Sequence, residues 1–426
     1  MSSQALRKRY VRLRALAVVL VPMTVFAQSP TPVTLRDAIA AARSDNPDLH
    51  VFQFELKAAD ATGRQAALRP ALEVGVTLDN FGGTGEAGAL KSAQATLQLS
   101  QLIELGGRRD ARLSTATAHR DTVVVAQQAA ELDVLAEVSR RFIGVLSLQE
   151  QQLVAQRATA LAEATLTASD ARVRAAKSPH VERDRAAVAL DRARVDESTI
   201  ASRLEAARLQ LAALWGDDRP LIGGHPFGPV AGDLYASPEV DDLAGLICKY
   251  KSNPDFLRFA TAERLRDAEL RLAATQRRAD ITVGAGVTRI QGTSGVGLVA
   301  GFSMPLFSGR RAQPYIDEAT ARKDAVGAER DAAFIRASAA IASLHRELGS
   351  ARATLQALDS TIQPRMEEAL SETEYAFERG RYSYLELIDA QREYLNVRRA
   401  RIEAGERVQL LATEIERLTA VPLSPQ

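Results

Sequence analysis

The sequence has little of what defines several common classes of protein. It contains 1 cysteine in 426 residues, which excludes an intrachain disulfide framework and a zinc site built from paired cysteines. No internal run of about 20 apolar residues occurs, so we predict no transmembrane helix. Because 54 basic residues nearly balance 53 acidic ones, there is no electrostatic case for nucleic acid as a partner. The remaining composition, 46% hydrophobic and 25% charged, is typical of a soluble globular protein or of one built from long helices.

The first 27 residues have the pattern of a secretory signal peptide. An apolar run from Ala15 to Ala27 is too short to span a bilayer, and Val25-Phe26-Ala27 forms a cleavage site before Gln28. The run follows a group of basic residues, namely Arg7, Lys8, Arg9, Arg12 and Arg14. We therefore predict that residues 1–27 are removed on export; the alternative is a buried N-terminal helix.

The rest of the chain reads as two diverged copies of one unit, offset by roughly 200 residues. Asn46-Pro47 recurs as Asn253-Pro254, and Gly107-Arg108-Arg109 recurs as Gly309-Arg310-Arg311. Each copy is predicted to contain a helix, a strand pair, a very long helix and a further helix. The predicted boundaries are a first repeat at residues 28–216, a connector rich in Gly, Pro and Asp at 217–238, a second repeat at 239–420 and a C-terminal tail at 421–426.

The predicted helices are unusually long. Residues 108–177 contain no proline and favour helix throughout, and about 70 helical residues would extend about 105 Å. The matching helix runs from about residue 314 to 379, with a break or kink predicted at Pro364. A heptad spacing predicts a coiled-coil seam, although an alanine-rich chain can show this period by accident. The seam comprises Ala321, Ala325, Ala328, Ala332, Ile335, Ala339 and Ala342, and a similar spacing relates Leu132, Leu135, Val138, Phe142 and Val145.

Two strand pairs are predicted, at about residues 71–103 and 280–305, and each strand alternates between apolar and polar or small residues. In water, alternation places one face on a core; in an outer membrane, it places one face on lipid and the other on a lumen. We favour the membrane, because the helices are already committed to seams of their own. Four strands cannot close a barrel in lipid, so identical copies must share one. Two copies would supply about eight strands and three copies about twelve.

Tandem halves, two strand pairs, very long helices and an export signal together resemble the outer-membrane efflux protein family, the TolC-like trimeric channels. The likeness covers about residues 33–420. It implies a mainly α protein with a small transmembrane β part: a twelve-stranded barrel from three subunits, continued by a long periplasmic helical coiled-coil barrel. The strand-to-helix junction at residues 101–109 resembles the cobalt–zinc–cadmium-type cation exporter branch, and 303–307 looks like its second-half counterpart. The junction residues are Gly106, Gly107, Arg108, Arg109 and Pro305.

Residues 380–391 resemble the turn between the last two long helices of that family, at its periplasmic tip. Gly380 suits a helix end that needs positive φ, and Ser383 with Glu386 has the spacing of a capping box. In the first half Pro179 fits the first helical turn after Ser178, while Ala176 replaces the expected glycine. The resemblance implies that both turns meet a periplasmic adaptor. The docking residues are Lys177, Ser178, Pro179, Gly380, Arg381, Tyr382 and Ser383.

Glu386 and Asp389 share one helix face because they are three residues apart. By resemblance they form the pore gate, where copies would give carboxylate rings that favour cations. Arg381 or Arg392 is expected to pair with these acids and hold the tip closed. The alternative is a capping box beside a solvated helix face.

No residues in the sequence predict catalysis, a cofactor or a metal site. The five histidines are dispersed, no phosphate-binding loop occurs, and no nucleophile–base arrangement is visible. We therefore expect a non-enzymatic, homotrimeric outer-membrane duct for heavy-metal cations, in contact with lipid. By resemblance its partners are a periplasmic adaptor (membrane fusion) protein and an inner-membrane pump of the resistance–nodulation–division type. The alternatives are a duct for drugs or type I protein secretion and, further off, a periplasmic coiled-coil adaptor.

Overall fold

The structure is a computed structural model that describes residues 32–85, 88–90, 92–293 and 295–420. The predicted signal peptide, 1–27, and the predicted tail, 421–426, lie outside the described residues. Nine α-helices and eight strands occur in the described part of the chain. None of these helices combines length with enough apolar side chains to cross a bilayer.

The elements follow one another in two similar series. The first series is β1 (Val33–Thr34), α1 (Leu35–Asp45), α2 (Pro47–Ala66), β2 (Leu72–Asp79), β3 (Gln94–Ile103), α3 (Arg108–Arg174) and α4 (His180–Ala212). Three short strands follow, namely β4 (Leu221–Ile222), β5 (His225–Pro226) and β6 (Val230–Ala231). The second series is α5 (Leu243–Tyr250), α6 (Pro254–Thr275), β7 (Ile281–Ile290), β8 (Gly295–Ser303), α7 (Ser308–Ala357), α8 (Gln363–Glu378) and α9 (Tyr384–Thr419).

Two helices, rather than the single one expected, precede each strand pair. The repeated Asn-Pro pair marks the point where they meet, because the asparagine caps the second helix and proline occupies its first turn. Asn46 also donates from Nδ2 to the carbonyl of Leu214 at 2.7 Å, and Asn253 does so to Arg417 at 2.8 Å. Each asparagine therefore ties its helix pair to the end of the last helix in its own half.

The long helices are confirmed, with α3 running unbroken for 67 residues, or about 100 Å. In the second half the interruption falls at Leu358–Ile362, a π-helical turn directly before Pro364. Proline has no N–H for the helical ladder, so a local change of winding at this point is expected. The five helices that follow the long strands form a row, in which α4 packs on α3, α3 on α9, and α9 on both α7 and α8.

The two predicted helical stripes behave differently. Val138, Phe142 and Val145 of α3 are buried in the main core, as the heptad spacing predicts. The alanine-rich seam of α7 is not used inside the chain: most of its members are exposed, and Ile335 is 69% exposed. Toward α9, helix α7 instead presents Ile341 and Leu348, which are both buried. The predicted seam is therefore mostly solvent-exposed within the described part of this single chain.

The four long strands form one antiparallel sheet in the order β2-β3-β7-β8. Opposed residues share a face, so Val76, Leu97, Val287 and Leu298 form one apolar row across the sheet, while Thr77, Thr96 and Thr288 form a polar row on the other face. The apolar side chains are largely exposed, up to 90% for Leu298. In the described part of the chain, β2 and β8 each lack a partner strand on their outer edge.

Candidate functional site

The turn between α3 and α4 ends its first helix with a left-handed residue. Ala176 adopts φ +56°, its N–H donates to the carbonyl of Val173 at 2.9 Å, and the N–H of Lys177 donates to Arg172 at 2.9 Å. This is a Schellman pattern, which usually employs glycine. Pro179 occupies the N-cap position of α4, one residue before the helix begins, and not its first turn as predicted. Ser178 accepts a hydrogen bond from Arg172 instead of capping the helix.

The turn between α8 and α9 repeats this geometry. Gly380 adopts φ +73° and donates to the carbonyl of Phe377 at 2.9 Å, while Arg381 donates to Ala376 at 2.9 Å. The predicted capping box is confirmed, since the N–H of Ser383 donates to Glu386 Oε2 at 2.6 Å and the N–H of Glu386 donates to Ser383 Oγ at 3.4 Å. Hydrogen bonds from the backbone and hydroxyl of Ser383 lower the pKa of Glu386.

Arg172, which sequence reasoning did not single out, joins the two turns. Its Nε donates to Ser178 Oγ at 3.1 Å, and its Nη1 donates to the carbonyl oxygens of Phe377 and Tyr382 at 3.3 and 3.5 Å. Its guanidinium also lies over the Phe377 ring, 4.6 Å from the centroid. A basic residue in the last turn of a helix could have been predicted to bind nearby carbonyl oxygens. Since α3 ends with both Arg172 and Arg174, the sequence does not show which of them does so.

A small hydrophobic core supports the same end of the helices. It is formed by Ala186, Phe377, Tyr384 and Leu387, which come from α4, α8 and α9. Burial raises the pKa of the Tyr384 hydroxyl. The seven predicted docking residues therefore lie at one end of the long helices, and all of them are exposed except Ser178, which is half-buried.

The two predicted gate carboxylates have different partners. Glu386 is engaged in its own capping box, whereas Asp389 accepts a hydrogen bond from Arg392 at 3.4 Å in an exposed ion pair. Of the two arginines proposed to hold the acids, the structure brings Arg392 to Asp389. Exposed pairs of this kind contribute about 1 kcal/mol or less, so the lone chain does not lock this surface.

The first strand-to-helix junction turns on two left-handed glycines. Gly106 and Gly107 adopt φ +76° and +74°, and a Cβ on Gly106 would approach the Arg278 side chain to 2.9 Å. Arg108 pairs with Asp280, whose other oxygen accepts from the N–H of Leu105 at 3.1 Å. Arg109 donates to the carbonyl of Ala67 at 2.7 Å. These contacts fasten the start of α3 to the residue that precedes β7 and to the end of α2. The role of Asp280 was not predicted from the sequence.

The second junction, after Pro305, does not match the first in the way that the repeated Gly-Arg-Arg triplets suggest. Phe307 caps α7 with φ +60°, so it corresponds structurally to Gly107, and Gly309 already lies inside the helix. The repeated Gly-Arg-Arg triplets therefore occupy different positions in the two halves. Phe307 is also 80% exposed, next to the apolar face of the sheet.

No group of three His, Cys, Asp or Glu side chains able to hold a metal ion is found among the described residues. The single cysteine, Cys248, is free and exposed on α5.

The chain is similar to known proteins in both sequence and fold. Residues 38–217 match the family model described as outer membrane efflux protein. The chain is 27% identical to the cobalt-zinc-cadmium resistance protein CzcC of Cupriavidus metallidurans, over 91% of this chain and 90% of that one. It is 25% identical to the nickel-cobalt-cadmium resistance protein NccC of Alcaligenes xylosoxydans, over 73% and 68%. Its fold is similar to that of CusC, with a TM-score of 0.74 and 16% identity over 90% and 91% of the two chains.

A four-stranded sheet with one exposed apolar face, continued by helices of up to 67 residues, defines a protomer of an outer-membrane efflux channel. Residues 38–217 carry the outer membrane efflux protein family model, and nearly the whole chain is similar in sequence to CzcC and in fold to CusC.

Proposed function

We propose that this channel is the passive exit duct of a tripartite exporter for heavy-metal cations. The observation that carries the proposal is its 27% identity to a cobalt-zinc-cadmium resistance protein over nearly the whole of both chains. A duct needs no chemistry of its own, so the energy for transport comes from an inner-membrane pump. No enzymatic role is proposed.

The duct is proposed to be a homotrimer. Both outer edges of the sheet, β2 and β8, are unpaired in the described chain, and such edges are not tolerated in lipid. The helix row has the same property, because α4 and α7 lie at its two ends and both expose heptad stripes. The exposed stripe of α4 includes Val181, Val188 and Val195, and that of α7 includes Ile335. Joining β8 to β2 and α7 to α4 of the next copy would cover both kinds of edge and close a ring.

The repeat boundaries remain part of the proposal. Residues 28–216 and 239–420 would each contribute one strand pair and one pair of long helices to the ring, and 217–238 would connect them outside it. The sequence of elements in the two halves supports this division.

The tip is proposed as the site of the adaptor and of the gate. The exposed docking residues of the two turns lie side by side, because Arg172 contacts both turns, and together they would form one surface for the adaptor (membrane fusion) protein. The pump is proposed to be of the resistance–nodulation–division type. Glu386 and Asp389 of each copy would form carboxylate rings that favour cations. Because the Asp389–Arg392 pair is weak, closure would depend on contacts between copies.

Deleting the gene and measuring growth on zinc, cobalt, cadmium, nickel, copper and a panel of dyes tests the cargo. We expect metal sensitivity that the intact gene restores. Dye sensitivity with unchanged metal tolerance would reject the metal assignment in favour of a drug duct. Extraction of the protein from membranes without detergent would instead indicate a periplasmic adaptor.

Replacing Glu386 and Asp389 together with alanine tests the gate. In planar bilayers we expect higher single-channel conductance and weaker cation preference, since the carboxylate rings are lost. The matched control is Asp217→Ala with Asp218→Ala, which removes two carboxylates from the connector. Equal behaviour of the two double variants would remove Glu386 and Asp389 from the gate.

A further inference from the structure

The polar face of the sheet is crowded even though its side chains are small. Along β3, β7 and much of β8, residues of this face are half-buried while the apolar residues between them are exposed. This alternation is expected when a sheet curves toward its polar side. The face contains five glycines on β7 and β8, namely Gly284, Gly286, Gly295, Gly297 and Gly301, and none of its residues on the four strands is a lysine or an arginine.

Gln98 of β3 is the largest side chain at the centre of this face. Its side chain extends along the surface of the sheet over the neighbouring strand, β7. A Cβ built on Gly284 of β7 would overlap its Nε2, and a Cβ on Gly301 of β8 would lie 3.2 Å from the same atom. Gly284 and Gly301 are register partners, so the amide of Gln98 rests over one glycine pair. The half-buried state of Gln98 agrees with this position.

We propose that Gln98, held flat over Gly284 and Gly301, sets the width of the aqueous passage at the middle of the β-barrel. The inference rests on the proposed duct, in which this face lines the lumen. Every side chain at position 284 other than glycine would fill the space that the amide occupies and raise Gln98 toward the axis of the passage. Several copies raised together would narrow one ring of the lumen.

The contribution of Gln98 is steric, not electrostatic. Its amide is uncharged, its two register partners are Gly75 and Gly286, and its neighbours along β3 on this face are Thr96 and Ser100. Raising it would therefore reduce the size of solute that enters, without altering the preference for cations over anions.

The experiment uses the purified full chain in planar bilayers, with polyethylene glycols of graded size added on the side of the strand-connecting loops. Polymers on that side probe the barrel independently of the periplasmic tip. Gly284→Ala adds one methyl group, too small to obstruct the lumen by itself. The matched control is Gly75→Ala on the same face, where a Cβ meets nothing within 4 Å.

We expect G284A to lower the largest polymer size that reduces conductance, and G75A to leave it unchanged. Adding Gln98→Ala to G284A should restore the wild-type cut-off, and ion selectivity should be the same in all variants. If G284A does not assemble, Gly301→Ala should show the same loss to a smaller extent. A cut-off that G284A does not change, or that stays low in the double variant, overturns the inference while the duct stands. A wild-type protein without any conductance overturns both.

Discussion

At the scale of single residues, the two tip turns solve one backbone problem with different amino acids. Both end a helix with a left-handed residue and the same pair of backbone hydrogen bonds, but the residue is Ala176 in one turn and Gly380 in the other. A Cβ in this conformation costs about 1–2 kcal/mol. The first turn therefore stores strain that the second does not.

Ala176→Gly should stabilise the first turn by about 0.5–1 kcal/mol, because the relief of strain exceeds the entropy that glycine loses on folding. Hydrogen exchange of the amides at 176 and 177, followed by mass spectrometry, measures the effect as slower exchange. Gly380→Ala is the reciprocal control and should speed exchange in the second turn. Faster exchange in A176G would show that the turn is not strained.

The capping box makes the second turn sensitive to acid. Because the pKa of Glu386 is lowered in the folded chain, its stabilising effect is present above the unfolded pKa of about 4.3 and is lost as the pH falls through the folded value. Pepsin cleavage near Tyr382 should therefore rise as the pH decreases below about 4. Glu386→Gln, which keeps the capping geometry without a titrating group, should flatten this dependence. An identical pH profile for E386Q would assign the acid response to other carboxylates.

At the scale of elements, the sequence predicted those strands and helix ends whose pattern depends only on neighbouring residues in the chain. The alternation in 72–79 and 281–290 and the capping box at Ser383 required no knowledge of neighbours, and all are found in the structure. The Asn-Pro pairs were recognised as a repeat but not as helix junctions, because their meaning depends on carbonyls of residues more than 160 positions away, such as Leu214 and Arg417. The Gly-Arg-Arg triplets misled for the opposite reason, since equal letters occupy different helical positions.

Arg172 contacts both tip turns, so Arg172→Gln should loosen both of them. The lost contacts to Ser178 and to the carbonyls of Phe377 and Tyr382 are each worth on the order of 1 kcal/mol. Hydrogen exchange should increase in residues 174–183 and 378–386 together. Arg174→Gln is the matched control, because Arg174 is 79% exposed and pairs only with Asp170 on its own helix. Loosening confined to the first turn would show that Arg172 does not couple the pair.

At the scale of the whole molecule, the sequence does not reveal the partners of those surfaces that remain exposed in a single chain. The alanine seam of α7 has a correct heptad period, yet most of its residues are exposed in the part of the chain that the structure describes. The same holds for the outer edges of β2 and β8. Periodicity reveals that a surface is made for packing, but it does not say whether the partner is the same chain or another copy.

If these edges join copies, a charge on one seam should prevent assembly without unfolding the protomer. Ile335→Asp and Val195→Asp change residues that are 69% and 63% exposed in the chain, so the protomer loses little internal packing, but between copies each would bury a carboxylate at a cost of several kcal/mol. The mass of the detergent-solubilised protein, measured by light scattering, should fall from three copies to one. Leu153→Asp is the control: Leu153 is 56% exposed on α3, which is flanked on both sides within the row, and its variant should stay trimeric. Intact trimers of I335D and V195D would refute the proposed closure of the ring, and a wild-type mass of two copies would replace the trimer with the eight-stranded alternative.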